Sequence, residues 1–260
     1  MTSPIPAATL VLFRDGPANG SGGTKQLPEH LPEHLPEHLF VERAAAMVFA
    51  GGAVVFPGGR VDPADFTLAK RFPHLDPDDA AARIAAVRET IEEAGIAVGI
   101  DADVEVLRSA LHEGATMGAL LDRHDLTLDL DRLVPFARWC PNFKETRTFD
   151  TRFYLARVEA DHAEARVDAT ENVHLFWASA AETLKRADAG TVKIIFPTRR
   201  NLERLATLDS FESARAHALA HPVETITPWI EHRDGEQRLC IPQGLGYPIT
   251  SETLNQAMRG

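Results

Sequence analysis

The chain has 260 residues, of which 44% are hydrophobic and 25% are charged, so the composition is that of a globular protein rather than a disordered one. Its formal net charge is −11 at pH 7. A chain this acidic is not expected to bind nucleic acid or an anionic membrane by general charge attraction. An anionic substrate would need a positive mediator, and a divalent metal ion is the obvious one.

Neither the cysteines nor the start of the chain indicates an extracellular or membrane protein. Cys140 and Cys240 lie far apart without metal-ligand spacing, which predicts two free thiols. The first fifteen residues lack the basic segment of a signal peptide. The longest run without charged residues, between Arg43 and Arg60, is broken by glycine and proline and is too short to span a bilayer. We therefore expect a cytoplasmic protein.

The N-terminal quarter combines strands with loops rich in proline and glycine. Residues 7–14 predict a strand, and FVER at 40–43 and AVVF at 53–56 predict two more. Between the first two, LPEH repeats in tandem over 27–40. Proline at every fourth position excludes a helix and a central strand, so we expect a surface loop. Its histidines and glutamates would suit a metal site, but such a loop rarely fixes ligand geometry, and we favour repeat expansion.

A loop rich in glycine, proline and aspartate is predicted over 57–78, followed by a long helix. Asp78 or Asp79 is the expected N-cap, and Gly95 stands where a terminating glycine is common. The predicted buried face has apolar residues at helical spacing: Ala80, Ile84, Val87 and Ile91.

The remaining segments predict alternating helices and strands without a clear domain boundary. We expect helices over 102–113, 116–124 and 180–188, a helical pair over 197–220, strands over 133–139, 148–158 and 172–179, and a hairpin over 223–241 around Asp234 and Gly235. In the second of these strands, alternation places Phe149, Thr151, Phe153 and Leu155 on one side.

Three glutamates crowd together in RETIEEAGI at 88–96. On a helix, Glu89, Glu92 and Glu93 share one sector, and Arg88 can pair with Glu92 four residues on. Like charges at this spacing destabilise a helix by a few tenths of a kcal/mol per pair, roughly, unless a cation binds between them. A solvated acidic face is the alternative. The upstream FPGG favours a metal–phosphate site, because glycines after a strand let the backbone approach a ligand.

RETIEEAGI resembles the second half of the Nudix box, R-E-U-x-E-E-x-G-U with U a bulky aliphatic residue, although Thr90 departs from the first U. In the first half, Asp65 stands six positions after Gly59, where the box has glutamate. About fifteen extra residues then separate Asp65 from Arg88. This interrupted form, with FPGGRVDPADF, resembles coenzyme A diphosphatase-like Nudix proteins. Further similar segments are 41–43, 135–141, 147–156 and 196–206.

The resemblance implies an α/β (α+β) Nudix fold, a mixed β-sheet sandwiched between helices, with extra C-terminal helices. The expected organisation is a single domain over 1–260, with inserted loops at about 15–40 and 62–80 and a C-terminal helical and hairpin extension over about 197–260. The resemblance also implies that Mg²⁺ or Mn²⁺ is bound by Glu89, Glu92 and Glu93, with the Gly59 carbonyl as a candidate further ligand.

The implied reaction is metal-assisted attack of water on a diphosphate. Glu89 is the first candidate to orient or deprotonate that water, and Glu171 is the candidate outside the box. Arg88 is expected to brace Glu92. Substrate phosphates are expected to contact three further residues, Arg43, Arg60 and Gly58, because arginine matches phosphate geometry and glycine permits close approach.

Several other polar and aromatic residues allow two interpretations. Asp62 and Asp65 could assist the metal or shape the turn. Trp139 and Phe143 could stack on an adenine, although core positions are the commoner interpretation. A salt-bridged solvent face is expected for the polar group on 147–152: Arg147, Asp150 and Arg152.

The favoured substrate is coenzyme A or an acyl-CoA, a small-molecule nucleoside diphosphate derivative. The alternatives are ADP-ribose or an NADH-type dinucleotide and, with less support, binding by a non-catalytic Nudix-like sensor, which would be expected to lack the box acids. No nucleic acid or membrane partner is expected, and a homodimer remains open.

Overall fold

The computed structural model describes residues 3–14, 35–44, 50–142, 148–158, 172–233 and 235–257. The strands are β1 (Ile5–Phe13), β2 (Glu37–Arg43), β3 (Val54–Val55), β4 (Gly58–Arg60), β5 (Val134–Trp139), β6 (Phe149–Arg157), β7 (Asn172–Ser179), β8 (Thr225–Ile226), β9 (Trp229–Arg233), β10 (Glu236–Cys240) and β11 (Ser251–Thr253). The helices are α1 (Pro63–Ala69), α2 (Pro77–Ala94), α3 (Val104–His112), α4 (Met117–His124), α5 (Ala180–Asp188), α6 (Phe196–Leu205), α7 (Phe211–Leu219) and α8 (Leu254–Ala257).

The central sheet has five strands in the order β4-β1-β6-β5-β8. It is mixed, because β1 runs parallel to β6 and antiparallel to β4, while β5 is antiparallel to β6 and parallel to β8. Two antiparallel sheets of three strands accompany it, β3-β2-β7 and β11-β10-β9.

Helices cover both faces of the central sheet. Leu10 and Leu12 of β1 and Tyr154 of β6 share a buried cluster with the apolar residues of α2. The intervening Val11 of β1 and Leu155 of β6 pack into a second cluster with residues of α6 and α7. Alternate side chains of a strand point to opposite faces, so the sheet is sandwiched between helices, as predicted.

The central position of β6 corrects one detail of the sequence prediction. The expected one-sided pattern over 148–158 fails toward the end of the strand, where Phe153, Tyr154, Leu155 and Ala156 are all buried. A strand with a helix layer on each face must be apolar on both.

Helix α2 ends as predicted but begins differently. Its N-cap is Asp76, which accepts hydrogen bonds from the backbone N–H groups of Asp78 and Asp79 at 3.1 and 3.0 Å. The predicted caps, Asp78 and Asp79, lie inside the first turn. The Asp79 carboxylate instead accepts from the Tyr154 hydroxyl at 2.7 Å, which ties the helix to β6. Gly95, with φ of 65°, terminates the helix.

The segment predicted as a loop over 57–78 contains regular structure. It forms β4, the helix α1 and the first residues of α2. Helix α1 starts with Pro63 at its first position, which suits proline because no intrahelical hydrogen bond is needed there. The backbone N–H of Asp62 donates to Asp65 Oδ2 at 2.9 Å, which fixes the Asp65 carboxyl at the start of the helix.

The end of the LPEH repeat also differs from the predicted surface loop. Residues 27–34 lie outside the described residues, but Glu37, His38 and Leu39 belong to β2. His38 is buried, and its Nδ1 lies 3.1 Å from the Leu12 carbonyl oxygen. The last repeat unit therefore contributes to the core.

The C-terminal segments pack onto the same core as the N-terminal strands. Tyr247 donates to Asn201 Oδ1 at 2.8 Å and accepts from Trp139 Nε1 at 3.0 Å. The predicted helical pair is α6 and α7. The predicted hairpin is the antiparallel pair β9 and β10, in which Gly235 has a φ of 80°. Over the described ranges, no helix combines the length and the apolar character needed to cross a membrane.

Candidate active site

The glycine turn of FPGG lies directly against the acidic end of α2. The Gly58 backbone N–H donates to Glu93 Oε2 at 2.9 Å. A Cβ on Gly59 would lie 2.5 Å from both carboxylate oxygens of Glu89, so a side chain there would collide with that group. Glycine permits this close approach of strand and helix without displacing the Glu89 carboxylate, and the turn lies beside two of the three clustered glutamates.

Arg88 is the centre of the acidic cluster. Its guanidinium lies within 4 Å of four carboxylates, at 2.8 Å from Glu89, 3.0 Å from Asp65, 3.3 Å from Glu92 and 3.7 Å from Asp62. The predicted Arg88–Glu92 pair is thus present, but it is one contact of a larger network. Nη2 also donates to the Arg60 carbonyl at 2.8 Å, which links α2 to β4.

The two halves of the interrupted motif meet through Asp65 and Arg88. Asp65 is 2% exposed and accepts from Arg88 Nε at 3.3 Å and from Nη2 at 3.0 Å. The residues between them form the rest of α1, the following turn and the first part of α2, so they separate the halves in sequence but not in space. Asp65 was expected either to assist the metal or to shape the turn. In the structure its carboxyl holds the turn before α1 and also pairs with Arg88.

Crowding of acids in a poorly hydrated site shifts their pKa values. Burial, followed by the charges of Glu93 and Glu92, raises the pKa of Glu89 to about 8, although Arg88 opposes the shift. Burial likewise raises the pKa of Glu92 and of Asp65, again against Arg88. A cation bound beside these carboxylates would favour their charged forms and so lower these pKa values.

The donor set suits a hard divalent cation, since carboxylate oxygens are the ligands that Mg²⁺ and Mn²⁺ prefer. Within the described ranges, no group of three or more His, Cys, Asp or Glu side chains is arranged to hold a metal ion. Glu89 and Glu92 are turned toward Arg88, and Glu93 accepts from Gly58. In chemical type, the carboxylates of Glu89, Glu92 and Glu93 fit a divalent ion.

The other predicted site residues, Arg60, Arg43 and Glu171, lie in different parts of the chain. Arg60 has an exposed side chain next to the glycine turn. Arg43 ends β2 in the β3-β2-β7 sheet, and its Nε is buried without a hydrogen-bond partner among the described residues. Glu171 lies outside the described residues, immediately before β7, whose first residue Asn172 pairs with Arg43.

The remaining candidates have structural contacts. Trp139 is buried in the core, so the commoner interpretation holds for it, and Phe143 and Arg147 lie outside the described residues. Asp150 pairs with Arg138 of β5 at 2.6 Å, and Arg152 contacts Asp79 of α2 at 3.3 Å. Asp150 therefore links two strands, and Arg152 links a strand to α2.

Two residues of α3 that the sequence did not single out contact the acidic end of α2. Arg108 Nε donates to the Glu92 carbonyl at 3.0 Å, and His112 Nε2 lies 3.2 Å from the same oxygen. From the sequence, the four-residue spacing of Arg108 and His112 could have indicated that both lie on one face of a short helix. Their contacts with backbone carbonyls could not have been predicted, because a carbonyl is present at every residue.

Known proteins resemble this chain in sequence and in fold. The crystal structure of a NUDIX hydrolase from Alicyclobacillus acidocaldarius matches with a TM-score of 0.69 and 32% sequence identity, over 83% of this chain and 97% of that one. Acyl-coenzyme A diphosphatase NUDT19 of Gallus gallus is 24% identical over 284 residues, which covers 86% of this chain and 74% of that protein. A Caenorhabditis elegans protein named as a nudix hydrolase is 25% identical over 237 residues, 85% of this chain and 72% of that protein. No protein-family model matches the chain.

The fold, the contact of the glycine turn with the glutamate helix, and the similarity across most of the chain define the class. The chain belongs to the Nudix hydrolase family. It is accordingly an enzyme that acts on acid anhydrides, and enzymes of this family in general need divalent metal ions.

Proposed function

We propose that the enzyme hydrolyses the diphosphate bond of a nucleoside diphosphate derivative in a metal-dependent reaction, and that coenzyme A or an acyl-CoA is the substrate. The observation that carries the reaction type is the contact of the Gly58–Gly59 turn with Glu89 and Glu93. The choice of substrate is supported by the similarity to the acyl-coenzyme A diphosphatase of Gallus gallus and by the interrupted motif.

Glu89, Glu92 and Glu93, with the Gly59 carbonyl, are proposed to hold Mg²⁺ or Mn²⁺. When bound, such an ion would neutralise phosphate charge and lower the pKa of a water molecule. Arg88 contacts both Glu89 and Glu92, and it is proposed to keep these two carboxylates near their binding positions.

The reaction forms a bond between water oxygen and a diphosphate phosphorus and breaks the bond from that phosphorus to the bridging oxygen. Glu89 is proposed to orient the water and accept its proton, with Glu171 as the alternative base. Arg60 and Arg43 are proposed to contact the phosphates, and Gly58 to let them approach the backbone.

The whole chain is proposed to act as one domain with a small-molecule substrate. In support, Leu239, Ile241 and Leu245 from the C-terminal extension share a buried cluster with Val11 and Leu155 of the central sheet. The extension is thus part of the core that positions the sheet. A cytoplasmic location is proposed from the sequence alone.

A substrate panel with product identification tests the proposal. Coenzyme A, an acyl-CoA, ADP-ribose and NADH would each be incubated with the enzyme and Mg²⁺, and kcat/KM compared. We expect the coenzyme A compounds to be preferred, with release of 3′,5′-ADP and, from coenzyme A, of 4′-phosphopantetheine. Robust cleavage of ADP-ribose with intact coenzyme A would reject the substrate assignment and favour the dinucleotide alternative.

A further inference from the structure

The C-terminal end of α2 carries two of the proposed metal ligands and poses a hydrogen-bonding problem. The last four carbonyls of an α-helix have no partner within the helix. Here the Gly95 N–H donates back to the Ile91 carbonyl at 2.9 Å. The next two carbonyls belong to Glu92 and Glu93, so the backbone of these residues needs donors from elsewhere.

Helix α3 supplies those donors. Arg108 Nε donates to the Glu92 carbonyl at 3.0 Å and Nη2 to the Glu93 carbonyl at 3.5 Å, so one guanidinium spans both residues. His112, one turn further along α3, places Nε2 3.2 Å from the Glu92 carbonyl. A carbonyl can only accept, so this contact uses the tautomer with a proton on Nε2.

The Arg108 contact is buried and fixed by packing. Arg108 is 8% exposed. Its Nη1 would lie 3.3 Å from a Cβ on Gly95, so the guanidinium packs closely against the glycine that ends α2. A cation beside helix C-terminal carbonyls is favourable, and the planar guanidinium can donate to two acceptors at once.

We propose that Arg108 is a positioning residue for metal binding: by fixing the carbonyls of Glu92 and Glu93, it sets where their carboxylates stand when the ion binds. This inference rests on the proposed function, because it takes Glu92 and Glu93 as ligands. Arg108 acts through the backbone of the ligands and not through contact with substrate. Without it, the last turn of α2 frays and the two carboxylates lose their shared orientation.

A positioning role and a charge effect predict opposite changes in metal affinity when Arg108 is replaced. If Arg108 mattered only through its positive charge, its removal would reduce repulsion of a bound cation and tighten metal binding. If it fixes the helix end, its removal weakens metal binding. Arg108→Met and Arg108→Gln both remove the charge, and methionine and glutamine are similar in size. Only the glutamine amide can still donate to a carbonyl.

The experiment measures Mn²⁺ affinity of the full-length enzyme by calorimetry, without substrate. We expect Arg108→Met to weaken Mn²⁺ binding about tenfold, and Arg108→Gln to recover about half of that loss in free energy. Amides at the end of α2 should exchange with solvent faster in Arg108→Met. Turnover should be lost at low Mn²⁺ and regained at high Mn²⁺. The control is Arg71→Met, which removes an exposed arginine paired with Asp122.

Unchanged or tighter Mn²⁺ binding by Arg108→Met, while the wild type binds, would overturn the positioning role and leave the proposed function intact. Failure of the wild-type enzyme to bind Mn²⁺ would overturn both. If Arg108→Met does not fold, Arg108→Gln decides: weaker binding supports the inference, and binding equal to wild type or tighter overturns it.

Discussion

Asp65 and Arg88, separated by an insertion in the sequence, form a buried ion pair with contacts of 3.0 and 3.3 Å. Arg88 in turn contacts Glu89 and Glu92. Burial opposes the charge on Arg88, but Glu89, Asp65 and Glu92 outweigh burial and raise the pKa of the guanidinium. The Arg88 guanidinium therefore pairs both with a carboxylate of α1 and with two proposed metal ligands on α2.

Asp65→Asn is expected to destabilise the protein by about 3 kcal/mol, because it leaves a buried arginine without one of its charged partners. Chemical denaturation would measure the change in the free energy of unfolding. Asp122→Asn is the matched control, since Asp122 pairs with Arg71 on the surface and exposed pairs contribute little. Equal small effects of the two substitutions would show that the Asp65–Arg88 pair does not stabilise the folded protein.

Gly59→Ala is expected to lower turnover by about a hundredfold, since the added Cβ displaces the Glu89 carboxylate and small misplacements in an active site are costly. Steady-state kinetics with Mg²⁺ and coenzyme A would measure the loss. Gly118→Ala makes the same chemical change on α4, where the nearest side-chain atom to a Cβ is Leu68 Cδ1 at 3.7 Å. Wild-type turnover by Gly59→Ala would contradict the need for the Glu89 carboxylate to stand beside this turn.

His38 gives the protein a defined sensitivity to acid. Burial lowers the pKa of His38 from 6.5 to about 4, against the opposing effect of its hydrogen bond with Leu12. Between these values the unfolded chain takes up a proton that the folded protein does not. Stability is therefore retained above pH 6.5 and lost as the pH falls toward 4, by about 3 kcal/mol for this one group.

His38→Gln should remove that part of the pH dependence, which urea unfolding at a series of pH values would show. His74→Gln, at an exposed histidine, should keep the dependence of the wild type. Parallel loss of stability in wild type and His38→Gln between pH 6.5 and 4 would exclude His38 as the source.

Local patterns were sufficient to predict the elements that carry the site. Apolar residues at helical spacing and a terminal glycine predicted α2, and the strand–glycine pattern predicted the turn that faces it. Both patterns involve residues close in sequence, so they can be recognised without knowledge of the fold. The same reasoning placed Glu89, Glu92 and Glu93 on one sector of the helix.

Long-range contacts account for what the sequence did not predict. Asp79 resembles an N-cap by position, but its carboxylate bonds to Tyr154, 75 residues away. Helix α1 lies in a segment whose proline, glycine and aspartate content favours loops, and its Asp65 is buried against Arg88. The role of Arg108 depends on backbone carbonyls of another helix, which no side-chain pattern records.

The central claim, that clustered carboxylates bind a divalent ion and drive diphosphate hydrolysis, is tested most directly by Glu93→Gln. This substitution removes one charge and keeps an oxygen that can accept from the Gly58 N–H. Glu113→Gln, at an exposed position after α3, is the control. With coenzyme A and Mg²⁺, the account predicts that Glu93→Gln lowers kcat by about a hundredfold or more, about 2.7 kcal/mol of barrier, while Glu113→Gln is unchanged. Unchanged turnover of every diphosphate by Glu93→Gln would contradict it.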